Sequence, residues 1–137
     1  MKKKISVFVY TLLLMFSLVM PTMAAETPYK IGVNRFAWYA ALKLVNFMPL
    51  VSADPFAGVI ITDWYSLNEN EKYKMDIYIL EENLTSNTVQ VKVFKQVRSG
   101  GGWVNASVSS DVPVKMENAI LNTARQLRIQ YLLGENK

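Results

Sequence analysis

Hydrophobic residues follow three different rhythms along this chain. From Ile5 to Met20 they run without a charge, and Leu12, Leu13, Leu14, Phe16, Leu18 and Val19 dominate. Between Asn34 and Met48 they recur at spacings of three and four. Ala37, Trp38, Ala41, Leu42, Leu44, Val45 and Met48 then share one helical face, with Arg35 and Lys43 on the polar side. Asn34 is suited to cap that helix and Pro49 to end it. Leu50 to Phe56 carries Ser52, Asp54 and Pro55 and is expected to be an ordered but irregular loop.

After this the period falls to two. Val59 to Tyr65 is rich in β-branched and aromatic residues and predicts a strand. From Lys72 to Glu82, Tyr73, Met75, Ile77 and Ile79 face one way, and Lys74, Asp76 and Tyr78 the other. Thr88 to Arg98 repeats the pattern, with Val89, Val91, Val93 and Val97 inside and Gln90, Lys92, Gln96 and Arg98 outside. Trp103 to Val108 forms a short fourth strand. The connections at Ser66–Glu71, Asn83–Asn87 and Ser99–Gly102 are polar and brief, which predicts an antiparallel meander.

The last element returns to helical spacing. Ser110 or Asp111 opens it and Pro113 fits its first turn. Met116, Ile120, Leu127 and Tyr131, beside Ala119, Leu121 and Ala124, make its stripe, and Gly134 is expected to cap its end. The predicted fold class is α+β in the order α-β-β-β-β-α. A four-stranded antiparallel sheet carries both helices on its one hydrophobic face, and the opposite face is half polar. This single domain is expected over residues 34–134, after a polar lead-in over residues 25–33.

The first segment has a different purpose. Lys2, Lys3 and Lys4 precede the apolar run, Pro21 follows it, and Thr22-Met23-Ala24 presents small residues. That is the order of a secretory signal peptide. The run is also shorter than the roughly 20 residues of a spanning helix. Cleavage after Ala24 is expected, with a periplasmic mature protein for which a place at the periphery of the outer membrane is open. Removing the three lysines lowers the net charge from +4 to +1, so the basic balance of the whole chain gives no argument for a nucleic-acid partner.

Composition then narrows the chemistry. There is no Cys and no His, which excludes a disulfide framework, a thiol nucleophile, an acylated lipoprotein cysteine and the commonest general base and metal ligand. No catalytic residue, metal ligand or cofactor is expected. The least routine stretch is Asp54-Pro55-Phe56-Ala57-Gly58 followed by Thr62-Asp63-Trp64-Tyr65. An Asp within an apolar strand is costly unless paired or exposed. Asp54, Phe56, Asp63, Trp64 and Tyr65 are therefore the candidate partner-binding residues. The structural alternative has Asp63 accepting backbone or Arg hydrogen bonds while Trp64 covers the edge of the core. Ser99–Gly102 joins two strands without opening a helix and reads as a hairpin turn rather than a phosphate loop. Glu69, Glu71, Glu81 and Glu82 read as surface charge, and Arg125 and Arg128 as a solvated helix face.

The stretch Gly58-Val59-Ile60-Ile61-Thr62-Asp63-Trp64-Tyr65, together with Lys72–Leu80, Val89–Val97, Gly101-Gly102-Trp103 and Ala124–Ile129, carries a resemblance. From about Val33 to Ile129 the chain resembles an uncharacterised alphaproteobacterial envelope family, a domain of unknown function. More distantly, Gly58, Thr62, Asp63 and Trp64 resemble the Gly-x-x-x-Thr-Asp-Trp strand of a helix-grip domain in the barrel-assembly lipoprotein BamC. That resemblance implies a sheet gripping a long helix and a non-enzymatic accessory role in outer-membrane protein assembly. The present chain has no cysteine for a lipid anchor. The expected function is that of an exported, non-enzymatic binding protein of the cell envelope. Its expected partner is an envelope protein, with the barrel-assembly machinery as the candidate. The sequence leaves membrane association open. The alternative is a periplasmic carrier of a small apolar ligand or lipid, with Trp38, Phe47, Phe94 and Tyr131 either lining its cavity or serving equally well as filled core.

Overall fold

The computed structural model describes residues 32–135, which belong to one compact unit. The expected signal peptide and most of the polar lead-in lie outside the described residues. The elements are α1 (Arg35–Leu44), β1 (Leu50–Asp54), β2 (Val59–Thr62), β3 (Tyr65–Asn68), β4 (Glu71–Ile79), β5 (Val89–Ser99), β6 (Gly102–Ala106) and α2 (Asp111–Glu135). The class is α+β with an antiparallel sheet and two helices, as the periodicities predict.

The sheet has six strands rather than four. Its order is β1-β2-β4-β5-β6, and β3 pairs with β4. The first additional strand, β1, replaces the irregular loop expected over Leu50–Phe56. All five of its residues are exposed, so it carries no alternation that could mark it in the sequence. It forms because β2 offers its free edge and the turn between them is well made. Asp54 Oδ1 accepts hydrogen bonds from the Phe56 and Ala57 N–H groups at 2.8 and 3.1 Å. Gly58 follows at φ +67, where a Cβ would stand 2.5 Å from the Ile79 carbonyl oxygen. Only glycine fits there. The second, β3, occupies what reads as the polar connection Ser66–Glu71.

The core lies between the helices and the odd-numbered positions of β4 and β5. Met75, Ile77, Ile79, Val89 and Val91 meet Ala37, Trp38, Ala41 and Val45 of α1 and its following turn, and Ile120, Leu121 and Ala124 of α2. Asn34 caps α1 as expected, its side chain accepting from the Ala37 N–H at 2.9 Å. Its amide Nδ2 also donates to the Glu82 carbonyl at 2.8 Å, tying the helix start to the β4–β5 connection. Where β5 runs beyond β6, the Val91 N–H would be an open edge donor, and Glu117 of α2 accepts from it at 2.9 Å. Gly134 is not a cap, because α2 continues through it to Glu135.

Candidate functional site

The run Thr62-Asp63-Trp64-Tyr65 crosses a β-bulge. Ile61 lies opposite Asp76 in the β2–β4 ladder, whereas Tyr65 lies opposite Tyr73 in the β3–β4 ladder. One extra residue has therefore entered between β2 and β3. An extra residue exchanges the two faces for everything that follows. Ile60 and Thr62 are buried on the helix side, and simple alternation would carry Trp64 there as well. Instead Tyr65 packs against the core, and Trp64 turns to the opposite face, where it meets even-numbered residues of β4.

The backbone of the bulge is satisfied locally. Thr62 Oγ1 accepts from the buried Met75 N–H at 2.8 Å, replacing a ladder bond that the bulge removes. The Asp63 N–H donates to the Pro49 carbonyl at 2.8 Å. Asp63 Oδ1 accepts from the Trp64 N–H at 2.7 Å. Asp63 is thus an exposed backbone acceptor and not a buried charge.

Trp64 enters a lattice of cations and aromatic rings on the outer sheet face. The Lys72 ammonium lies 5.1 Å from its ring centroid and 4.6 Å from that of Trp103. Lys74 lies 5.5 Å from the Trp64 ring and 4.8 Å from the Phe94 ring. The Arg98 guanidinium covers Trp103 at 4.7 Å. Such contacts hold long cationic side chains flat without cancelling their charge. The even positions of β4 and β5 include Lys72, Lys74, Lys92 and Arg98 against a single carboxylate, Asp76. Lys92 leans over Tyr78 at 5.4 Å, and Asp76 Oδ1 is buried without a hydrogen-bond partner. The face is therefore net cationic. A groove of about 330 Å³ beside Trp64, Lys74 and Phe94 reaches Asn105 and Val108.

The inner face carries a second concavity. A cavity of about 420 Å³ is lined by Leu44, Phe47, Met48, Tyr65, Leu67, Tyr73, Met75, Val93, Val112 and Met116. Phe47 and Tyr65 meet edge to face with centroids 5.1 Å apart. Beside this wall the Lys95 ammonium stands 5.4 Å from the Tyr73 ring and pairs with Glu71 at 2.7 Å. Hydrogen bonding with Lys95 holds the Glu71 carboxyl below its ordinary pKa, and the same bond raises Lys95. Among the described residues no cluster of acidic side chains could hold a metal ion, and no helix is long and apolar enough to cross a membrane.

With this geometry in view, comparison with known proteins finds a match over residues 31–129 to the family described as a domain of unknown function, DUF3576. The chain belongs to the DUF3576 family. It is also 36% identical over 99 residues to an uncharacterized protein of Rickettsia prowazekii (strain Madrid E). That match covers 71% of this chain and 59% of the relative. The DUF3576 match takes in α1, all six strands and most of α2, so both concave surfaces fall within it.

Within this DUF3576 domain the five predicted residues do not form one surface. Asp54 and Phe56 belong to the β1–β2 turn, Asp54 as its internal acceptor and Phe56 exposed at its tip. Asp63 holds the bulge, Trp64 joins the outer lattice and Tyr65 lines the inner cavity. Trp38, Phe47, Phe94 and Tyr131 do not line one cavity. Trp38 is filled core and Phe94 lies on the outer face. Tyr131 meets Phe36 at a tilt, ring centroids 5.8 Å apart, under Arg35, leaving only Phe47 on the wall of the inner cavity. Sequence reasoning passed over Trp103 and Arg98 as lattice members. Even-numbered parity within β5 marks both Phe94 and Arg98 for the outer face, and the hairpin register then brings Trp103 opposite Arg98.

Proposed function

We propose that this chain is an exported, non-enzymatic binding protein of the bacterial cell envelope that uses its outer sheet face to dock an acidic surface of an envelope protein. A component of outer-membrane barrel assembly is the partner this reading favours. One observation carries it: the bulge turns Trp64 outward into a cationic lattice with Phe94 and Trp103. A large aromatic ring held among cations suits an interface centre, where Trp and Arg supply most of the binding energy. The surrounding lysines favour an acidic counterpart and speed its approach.

The test is in-cell crosslinking of the tagged protein from envelope extracts, with Trp64→Ala and Lys72→Glu/Lys74→Glu as folded comparisons. Barrel-assembly components are expected to co-purify with the unaltered protein. Both variants should reduce the yield at least about tenfold, as loss of an interface centre does. Recovery of the mature protein alone from the soluble periplasm, or crosslinks that neither variant changes, overturns the proposal.

A further inference from the structure

Docking through the outer face leaves the inner cavity without a task, and its chemistry is of another kind. Its roughly 420 Å³ lies within the range of small-molecule sites. Phe47 and Leu67, 54% and 62% exposed, mark where it opens to solvent. Apolar residues in that position gain from being covered.

We infer that this cavity binds one acyl chain of an amphiphile, with the chain among Met48, Met75 and Met116. The only polar side chains on the wall are the phenols of Tyr65 and Tyr73. A sugar, a nucleotide or a peptide backbone would lose water there without replacement, which is costly for each polar group. A saturated chain has no such groups. Three methionines on the wall suit a flexible occupant, since their unbranched, polarizable side chains adapt to its shape. Lys95 beside Tyr73 is already paired with Glu71, so the head group stays in solvent at the mouth marked by Phe47 and Leu67.

The experiment is titration of the purified full chain with a dansylated undecanoic acid, followed by displacement with lauric acid. Saturable one-to-one binding with enhanced, blue-shifted emission is expected. Leu67→Asp places a charge at the mouth on an already exposed residue, and Met116→Trp fills the space from a half-buried one. Each should weaken binding at least about tenfold. Lauric acid and lauryl alcohol should displace the probe alike. Trp64→Ala lies on the opposite face and should leave probe binding intact, which separates this site from the docking surface. Three results overturn the inference: absence of saturable binding, binding indifferent to both Leu67→Asp and Met116→Trp, or saturable binding of an apolar peptide but none of the fatty acid.

Discussion

Gly58, Thr62, Asp63 and Trp64 stand out in the sequence as a spaced motif, and the structure gives each a separate physical duty. Gly58 admits a left-handed turn against the Ile79 carbonyl. Thr62 supplies an acceptor where the ladder is broken, and Asp63 binds the amide that follows it. These three shape the bulge and its approach, and Trp64 is what the bulge displays. The engagement of Asp63 with the backbone was legible, because a carboxylate in an apolar strand must find donors or solvent. The outward turn of Trp64 was not, since it depends on a one-residue change of register that alternation alone does not encode. Thr62→Val, which preserves shape, leaves the buried Met75 N–H without an acceptor and is expected to cost about 1–3 kcal/mol. Urea unfolding measures this, and Thr62→Ser should recover most of the loss.

Among the elements, those with strong periodicity were readable and those without it were not. β4 and β5 alternate over nine and eleven residues, and both helices show their stripes. β1 and β3 are short and largely exposed, and they form because a neighbouring edge supplies hydrogen bonds. The start of α2 was also legible, through Asp111 and Pro113. Hydrogen bonds from Lys115 and then Ser109 lower the Asp111 carboxyl from 3.8 to about 2, and Lys115 pairs with it at 2.6 Å one turn on. A depressed folded-state pKa means that the ionised carboxylate favours the fold above pH 3.8, and this contribution is lost as pH falls towards 2. The group is exposed, so the effect is modest and screened by salt. Asp111→Asn should lower stability at neutral pH and flatten the decline between about pH 4 and pH 2, read by thermal unfolding across that interval.

At the scale of the molecule, one core joins both helices to the inner sheet face, so the domain should unfold as a unit. The three tryptophans provide the check. Trp38 is 5% exposed, whereas Trp64 and Trp103 lie half-buried on the outer face. A Trp64→Phe/Trp103→Phe variant, reporting Trp38 alone, is expected to emit at shorter wavelength than the unaltered chain. Its fluorescence midpoint in urea should coincide with that from far-UV circular dichroism. Separate midpoints would mean that the sheet and helices do not share one cooperative core.

Periodicity alone was enough for the class, the two helices, the long central strands and the residues of those strands that face inward. Those features follow from local geometry, because side-chain direction repeats every two residues in a strand and every 3.6 in a helix. Other features arose only on folding: the two exposed additional strands, the exchange of faces at Trp64, the cationic lattice on one side of the sheet and the carbon-lined cavity on the other. Each depends on a partner supplied from elsewhere in the chain. A hydrogen bond from Met75, a carbonyl at Ile79 or the end of a packed helix becomes available only when the chain has closed around its core.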